Sequence, residues 1–301
     1  MNLRSVDLNL LVALDAMLIE RHVTRAAARI GLSQPAMSNA LGRLRLIFKD
    51  ELLVRSGTGM QPTPRAEELR RSIQPLLRQI ERVFETDAGF DPALSNRTFT
   101  IRLSDLLAFL LLPPLLEELK RDAPLVGLDV LHLAPAMTVD ALERDDIDLA
   151  VSMGLEHSNT IRSEIVFRDR MVCIMRRSHE LARQELTTEN FLAQRHLKVS
   201  MSPTDLRFVD NVLVRQKRER QVALNVPHWL IVPHVLARTD LVSVMPERFA
   251  AAIAGRALVF RDLPFASDSF DWTLYWHRRH EGNHAIGWLR GALRTVCQTL
   301  S

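Results

Sequence analysis

The stretch Thr24-Arg25-Ala26-Ala27-Ala28-Arg29-Ile30-Gly31-Leu32-Ser33-Gln34-Pro35 restricts the fold more than any other part of the chain. Thr24 can cap an alanine-rich helix, and Gly31 can end it, because glycine reaches the left-handed conformation without steric cost. Ser33 then caps another helix, with Pro35 in its first turn, where a missing N–H removes no helical hydrogen bond. Met37, Leu41, Leu44 and Phe48 recur at spacings of four, three and four, so this helix buries one stripe and turns Gln34, Ser38, Asn39, Gly42 and Arg45 outward. Two helices joined by a short glycine turn, with Ala27 small enough for a close crossing, make a helix-turn-helix. The second member of such a pair enters the major groove of double-stranded DNA.

The flanking residues extend the same reading. Asp7 is placed to cap a helix whose apolar side is Leu8, Leu11, Val12, Leu14, Ala16 and Leu18. Leu52 to Arg55 and Met60 to Thr63 read as two short strands about the turn Ser56-Gly57-Thr58-Gly59, a wing. From Pro64 to Glu85, Ala66, Leu69, Ile73, Leu76, Ile80 and Val83 form the seam of a coiled coil. That predicts a dimerising linker helix over 64–88, bent near Pro75; packing against its own domain is the alternative. Between Arg21 and Arg65 stand eight basic residues and only Asp50 and Glu51, whereas the chain beyond Ala88 is neutral. The cationic surplus therefore belongs to residues 1–63, the expected DNA-binding domain.

Asp87 to Asn96, with Gly89, Pro92 and Ser95, reads as a boundary opening a second domain over 89–301. Strands are expected near 98–103, 127–133, 149–152, 170–175, 197–200, 221–225, 241–244, 258–260 and 271–277. Helices are expected near 106–121, 137–144, 206–218, 229–238, 247–254 and 283–299. Such alternation predicts an α/β domain with parallel sheets. The longest apolar run, Leu106 to Leu116, is too short to span a bilayer and is broken by Pro113 and Pro114. Residues 1–7 do not form a secretory signal, so a cytoplasmic protein is expected. Cys173 and Cys297 are too few for a disulfide framework and predict buried thiols. No nucleophile elbow, phosphate loop or dinucleotide fingerprint is present, so neither an enzyme nor a cofactor is expected. His277, His280 and His284 have a spacing that suits a metal, but they divide among a strand, a loop and a helix start, and no metal site is assigned.

Taken in order, Asp7-Leu8-Asn9-Leu10-Leu11, Thr24-Arg25-Ala26-Ala27, Leu32-Ser33-Gln34-Pro35-Ala36-Met37-Ser38 and Pro62-Thr63-Pro64 closely resemble the N-terminal domain of LysR-type transcriptional regulators. Val226-Pro227-His228-Trp229, Thr239-Asp240-Leu241, Met245-Pro246-Glu247-Arg248 and Tyr275-Trp276-His277 look like the subgroup of nodulation regulators and salicylate-responsive aromatic-degradation regulators. The resemblance implies a winged helix-turn-helix followed by two α/β lobes with the fold of periplasmic solute-binding proteins. Lobe 1 would cover about 97–167 and 268–301, and lobe 2 about 168–267. It also implies a homodimer through the linker helix, a homotetramer as the active species, and RNA polymerase as a further partner.

On the DNA side, amide and hydroxyl groups of Gln34, Ser38 and Asn39 suit base edges, at positions that read bases in the family. Pro35 and Ala36 suit thymine methyl groups, while Arg43, Arg45, Arg55 and Thr63 suit the backbone or minor groove. Thr24 and Ser33 complete the expected DNA-binding set. On the effector side, strand ends offer Ser104, Asp105, Ser152, Ser200, Asn225, His228 and Trp229 to a small molecule. By the resemblance, His228 matches a histidine of the effector cleft, whereas Asp169 stands where salicylate-type regulators carry another histidine. A carboxylate there argues against salicylate, leaving a small aromatic or other polar compound, not necessarily an acid, as the expected effector.

Overall fold

The computed structural model describes residues 7–56, 59–84, 90–201 and 209–300. The chain divides into two compact units, Met1–Thr86 and Asp87–Ser301. The turn at Gly57 and Thr58, residues 87–89 of the expected boundary and the start of the expected 206–218 helix lie outside the described residues.

The first unit runs α1 (Asn9–Glu20), α2 (Val23–Arg29), α3 (Gln34–Phe48), β1 (Leu53–Ser56), β2 (Gly59–Pro62) and α4 (Pro64–Phe84). Gly31 takes a φ of +70°, and the turn closes by Leu32 N–H donating to Ala27 O at 2.9 Å and Gly31 N–H to Ala28 O at 3.4 Å. These bonds satisfy carbonyls that the end of α2 would leave open. Ser33 caps α3 as expected, its hydroxyl accepting from Ala36 N–H at 3.3 Å. Thr24 does not cap α2. It lies inside the first turn, and His22 takes the cap, its Nδ1 accepting from Arg25 N–H at 3.4 Å. Likewise Asp7 sits one residue outside the α1 cap position, accepting from Asn9 N–H at 3.1 Å.

Leu14, Met17 and Leu18 of α1, Ala26 and Ala27 of α2, Met37, Leu41 and Leu44 of α3, and Leu52 and Leu53 beside the wing form one core. The first half of α4 belongs to it: Ala66 and Ile73 are buried there, with Leu69 and Leu77 packed alongside. The seam therefore splits, its early positions packing on their own domain while Leu76 and Ile80 stay exposed. α4 is continuous across position 75.

The second unit holds two five-stranded sheets. The first sheet and its helices contain β3 (Thr98–Arg102), α5 (Asp105–Asp122), β4 (Gly127–Leu131), α6 (Pro135–Glu143), β5 (Leu149–Met153), β6 (Ile161–Asp169), β12 (Phe270–His277) and α11 (His284–Gln298). The second has β7 (Met171–Arg176), α7 (Thr188–Leu192), β8 (Arg195–Val199), α8 (Val209–Arg215), β9 (Gln221–Val226), α9 (Val232–Leu236), β10 (Val242–Pro246), α10 (Glu247–Ile253) and β11 (Leu258–Asp262). The strand orders are β4-β3-β5-β12-β6 and β11-β7-β10-β8-β9.

The sheets are mixed rather than parallel: β12 runs antiparallel to β5 and β6, and β7 antiparallel to β10 and β11. The cause is the double crossing between lobes. β6 leaves one sheet and β7 begins the other with only Arg170 between them, and the chain returns between Asp262 and Phe270. Strand β6 breaks the alternation of faces because it carries one extra residue, Val166, where its pairing with β12 shifts between Trp272 and Thr273, so that Val166 and Phe167 are both buried. One cluster of buried apolar residues continues across both lobes, from Phe99 and Leu149 to Val172, Leu197 and Phe249. Cys173 and Cys297 are buried, and burial pushes both thiols up to about 12.

Candidate nucleic-acid interface and effector cleft

α3 separates its two sides sharply. Met37, Ala40, Leu41 and Leu44 face the core, while Gln34, Pro35, Ala36, Ser38, Asn39, Gly42 and Arg43 are exposed. Gln34 Nε2 donates to Ser38 Oγ at 3.0 Å, so these two polar groups are oriented by each other. Arg43 meets Asp7 at 3.1 Å, both well exposed, a surface pair too weak to withhold the guanidinium from another anion. Arg55 is exposed on β1, opposite Met60 on β2.

Two expected DNA contacts, Arg45 and Thr63, also have structural duties. Arg45 donates from Nε to Glu51 O and from Nη2 to Leu53 O, both at 2.9 Å, and meets the Glu51 carboxylate at 3.0 Å, fastening α3 to the wing. The Thr63 hydroxyl donates to Asp50 Oδ1 at 2.6 Å and accepts from Ala66 N–H at 3.1 Å, capping α4. The Thr63 and Leu52 donors together hold the Asp50 carboxyl below the usual range.

In the second unit a cavity of about 110 Å³ opens between the lobes. From the first lobe it is lined by Arg102, Ser104, His132, Ser152 and Trp272, and from the second by Lys198, Ser200, Asp210, Arg220 and Trp229. Ser104 caps α5, its hydroxyl accepting from Leu107 N–H at 3.4 Å. Arg102 is 3% exposed, and its guanidinium donates to Leu133 O and Val151 O. Across the cavity, Asp210 accepts from Arg220 Nε at 2.7 Å and Nη2 at 3.1 Å, and meets Lys198 Nζ at 3.3 Å. Burial alone would raise the Asp210 carboxyl, but the Arg220 and Lys198 cations outweigh it and hold it below the usual carboxylate range. Arg220 Nη1 is buried without a hydrogen-bond partner. Among the described residues, three cations thus line the cavity against one carboxylate.

The expected effector residues separate into those at this cavity and those elsewhere. Ser104, Ser152, Ser200 and Trp229 line it. Asn225 does not; its Nδ2 donates to Ser200 O at 3.1 Å and steadies that strand end. Asp105 and His228 do not line it either: Asp105 Oδ2 accepts from Leu230 N–H at 2.9 Å, and His228 is exposed, its ring centroid 5.3 Å from that of His132. Burial, followed by nearby Arg102 and His228, lowers the His132 imidazole below its ordinary value against the pull of Asp105.

Asp169 departs furthest from expectation. It lies at the interlobe crossing in a different hollow, with Arg168, Arg170, Glu247 and Arg248, and accepts from Arg170 N–H at 2.8 Å and the Trp272 indole at 3.4 Å. Burial raises its carboxyl above the ordinary range despite these donors. Asp169 does not line the interlobe cavity and so does not bar an acidic effector from it. The histidine group near the C-terminus is not a ligand set: His277 Nδ1 accepts from Arg279, and His280 is bonded to Asp145 at 2.8 Å.

Comparison with known families settles the class. Residues 8–67 match the bacterial regulatory helix-turn-helix protein, lysR family, and residues 92–298 match the LysR substrate binding domain. The chain belongs to the LysR family. This LysR-type regulator is 32% identical to the HTH-type transcriptional activator NahR of Pseudomonas putida, covering 96% of this chain and 97% of that protein. It is 34% identical to Nodulation protein D 1 of Rhizobium leguminosarum bv. phaseoli, covering 100% and 95%. A crystal structure of a probable transcriptional regulator from Pseudomonas aeruginosa superposes with a TM-score of 0.81 at 35% identity, covering 97% and 98%. The family assignment makes this chain a DNA-binding transcriptional regulator with an effector domain, not an enzyme, in the subgroup that the C-terminal motifs indicated. Among the described residues no helix is long and apolar enough to cross a membrane.

Sequence reasoning missed Arg102, His132, Lys198, Asp210, Arg220 and Trp272. A signal was present for two of them: Arg102 in Thr98-Phe99-Thr100-Ile101-Arg102-Leu103 and Lys198 in His196-Leu197-Lys198-Val199 are single charges within apolar strands. A charge in such a place needs a partner or a function.

Proposed function

We propose that this regulator reads promoter DNA with Gln34, Ser38 and Asn39 of α3 and responds to a small organic anion in the interlobe cavity. The observation that carries the DNA half is that one edge of α3 is core while the first turns of the other present Gln34, Ser38, Asn39 and Arg43 exposed. Ser33, Pro35 and Thr24 border that edge, and Arg43 and Arg55 supply phosphate contacts. Asn39→Ala is expected to reduce discrimination between matched and mismatched bases by about 5–100-fold per half-site. Arg55→Ala is expected to weaken every site alike and to flatten the salt dependence by about one unit of log K against log salt. A salt titration of binding to specific and random duplexes in which neither variant differs from wild type overturns these roles.

The cationic excess at the cavity supports the effector half, with Trp229 and Trp272 adding aromatic surface to its lining. Benzoate is expected to raise the melting temperature of the full-length protein where isosteric benzamide does not, and Arg220→Gln to remove most of that difference. Equal shifts from acid and amide overturn the anionic reading. A homodimer through α4 is supported by Leu76 and Ile80, and by Leu8 at the cap and Val12 in the first turn of α1, which remain exposed. The homotetramer is supported by the open edges of both sheets, where β4 exposes Val130 and Leu131 and β9 exposes Val222. The protein then acts in the cytoplasm, where promoter DNA and RNA polymerase are its partners.

A further inference from the structure

We infer that Asp105, His132 and His228 form a binding site for a divalent transition-metal ion, of the zinc or cobalt type, that ties the two lobes together. Each residue offers one ligand atom, and all three atoms lie within 4.8 Å of one another. Their placement follows from the topology. β3 and β4 are parallel neighbours, so the residues just beyond their carboxyl ends, Asp105 at the first turn of α5 and His132 after Leu131, come side by side. His228 follows β9 of the other lobe and stands at the head of the short helical turn Trp229–Ile231. The turn is held against α5 by Leu230 N–H donating to Asp105 Oδ2 at 2.9 Å, so the third ligand is already anchored beside the first two.

The carboxylate makes the case more than the rings do. Asp105 Oδ1 is buried and has no hydrogen-bond partner. Such an oxygen is costly to bury unless a cation or donor meets it. Two imidazoles and a carboxylate are the ligand types that suit zinc or cobalt, and tetrahedral bonds of about 2.0–2.1 Å put ligand atoms about 3.3 Å apart, within reach of modest ring rotations here. Three protein ligands leave a coordination position open for solvent or a bound molecule. The rim position, with His228 exposed, gives an ion access from solvent. Arg102 stands near His132 but donates to Leu133 O and Val151 O, whereas Arg279 donates to His277 and meets Asp145, the partner of His280. The inference is independent of what the interlobe cavity binds.

The test is a titration of chelator-stripped full-length protein with Co²⁺, read by its visible d–d bands, followed by displacement with Zn²⁺. One equivalent per subunit is expected, together with a rise in melting temperature, since the ion joins both lobes of the folded state. Asp105→Asn, which keeps the acceptor for Leu230, and His228→Ala, at an exposed position, should each weaken binding by at least about 100-fold, and His280→Ala should leave it unchanged. Melting curves of the metal-free variants matching the wild type establish that the loss is not unfolding. Absence of stoichiometric cobalt bands, or unchanged affinity in Asp105→Asn and His228→Ala, overturns the site.

Discussion

Asp210→Ala is expected to destabilise the effector domain by about 3–5 kcal/mol, because it leaves the buried Arg220 guanidinium without the carboxylate that binds it. Arg220 and Lys198 are 7% and 9% exposed at their side chains, and Asp210 receives both. The effect is large because Asp210 binds the Arg220 guanidinium through two hydrogen bonds, and water reaches the pair poorly. For a unit of this size, the loss corresponds to a fall in melting temperature of about 6–20 °C. Added sulfate should restore part of it, as a free anion takes the place of the missing side chain. Differential scanning calorimetry in low and high sulfate reads both effects. A variant that melts within about 2 °C of wild type shows that the triad contributes no net stabilisation.

Leu44→Ala is expected to cost about 2–5 kcal/mol, through lost burial and the cavity left behind. Leu44 is 1% exposed and packs in the core shared by α1, α2, α3 and the start of α4. That unit has its own core and only about 86 residues, so the loss is a large share of a typical domain stability. DNA affinity should fall at 37 °C far more than at low temperature, as the folded fraction of the reader declines, whereas benzoate should still shift the effector-domain transition. Hydrogen exchange that is equally fast in both units of the variant contradicts this separation. The same substitution at exposed Leu46 should be nearly neutral, which makes it the matching control.

The DNA-binding unit was largely legible in the sequence because its determinants are local. Ser33 caps α3 through a bond spanning three residues, and Gly31 closes the turn through bonds spanning three and five. The apolar spacing of Met37, Leu41 and Leu44 selects the buried side without reference to any distant segment. Misreadings arose where two local solutions compete: both His22 and Thr24 can cap α2, and the histidine ring does so. The linker seam was ambiguous for a related reason. A periodic apolar stripe states that something will cover it but not what, and α1 covers the first half.

The effector cleft was less legible because its charges meet over long stretches of chain. Arg102, Asp210 and Arg220 belong to a strand of one lobe and to segments of the other, and nothing in their spacing shows that they share a cavity. Ser104, Ser152 and Ser200 do line the cavity, because strand ends converge where two such lobes face each other. Asp169 was misplaced since its position in the chain, one residue before the crossing at Arg170, is compatible with either side of the interlobe wall. Packing against Trp272 decided which side it took.

The amino-acid sequence by itself determined that this protein carries a helix-turn-helix with a polar reading edge, followed by an α/β domain. Capping, glycine turns and helical periodicity act within a few residues and need no partner. Only the tertiary structure decided that the interlobe cavity is cationic, that Asp169 is excluded from it, and that Asp105, His132 and His228 converge at its rim. Those outcomes depend on which strand ends the two crossings bring together, and Coulomb forces and burial act on distance in space rather than along the chain.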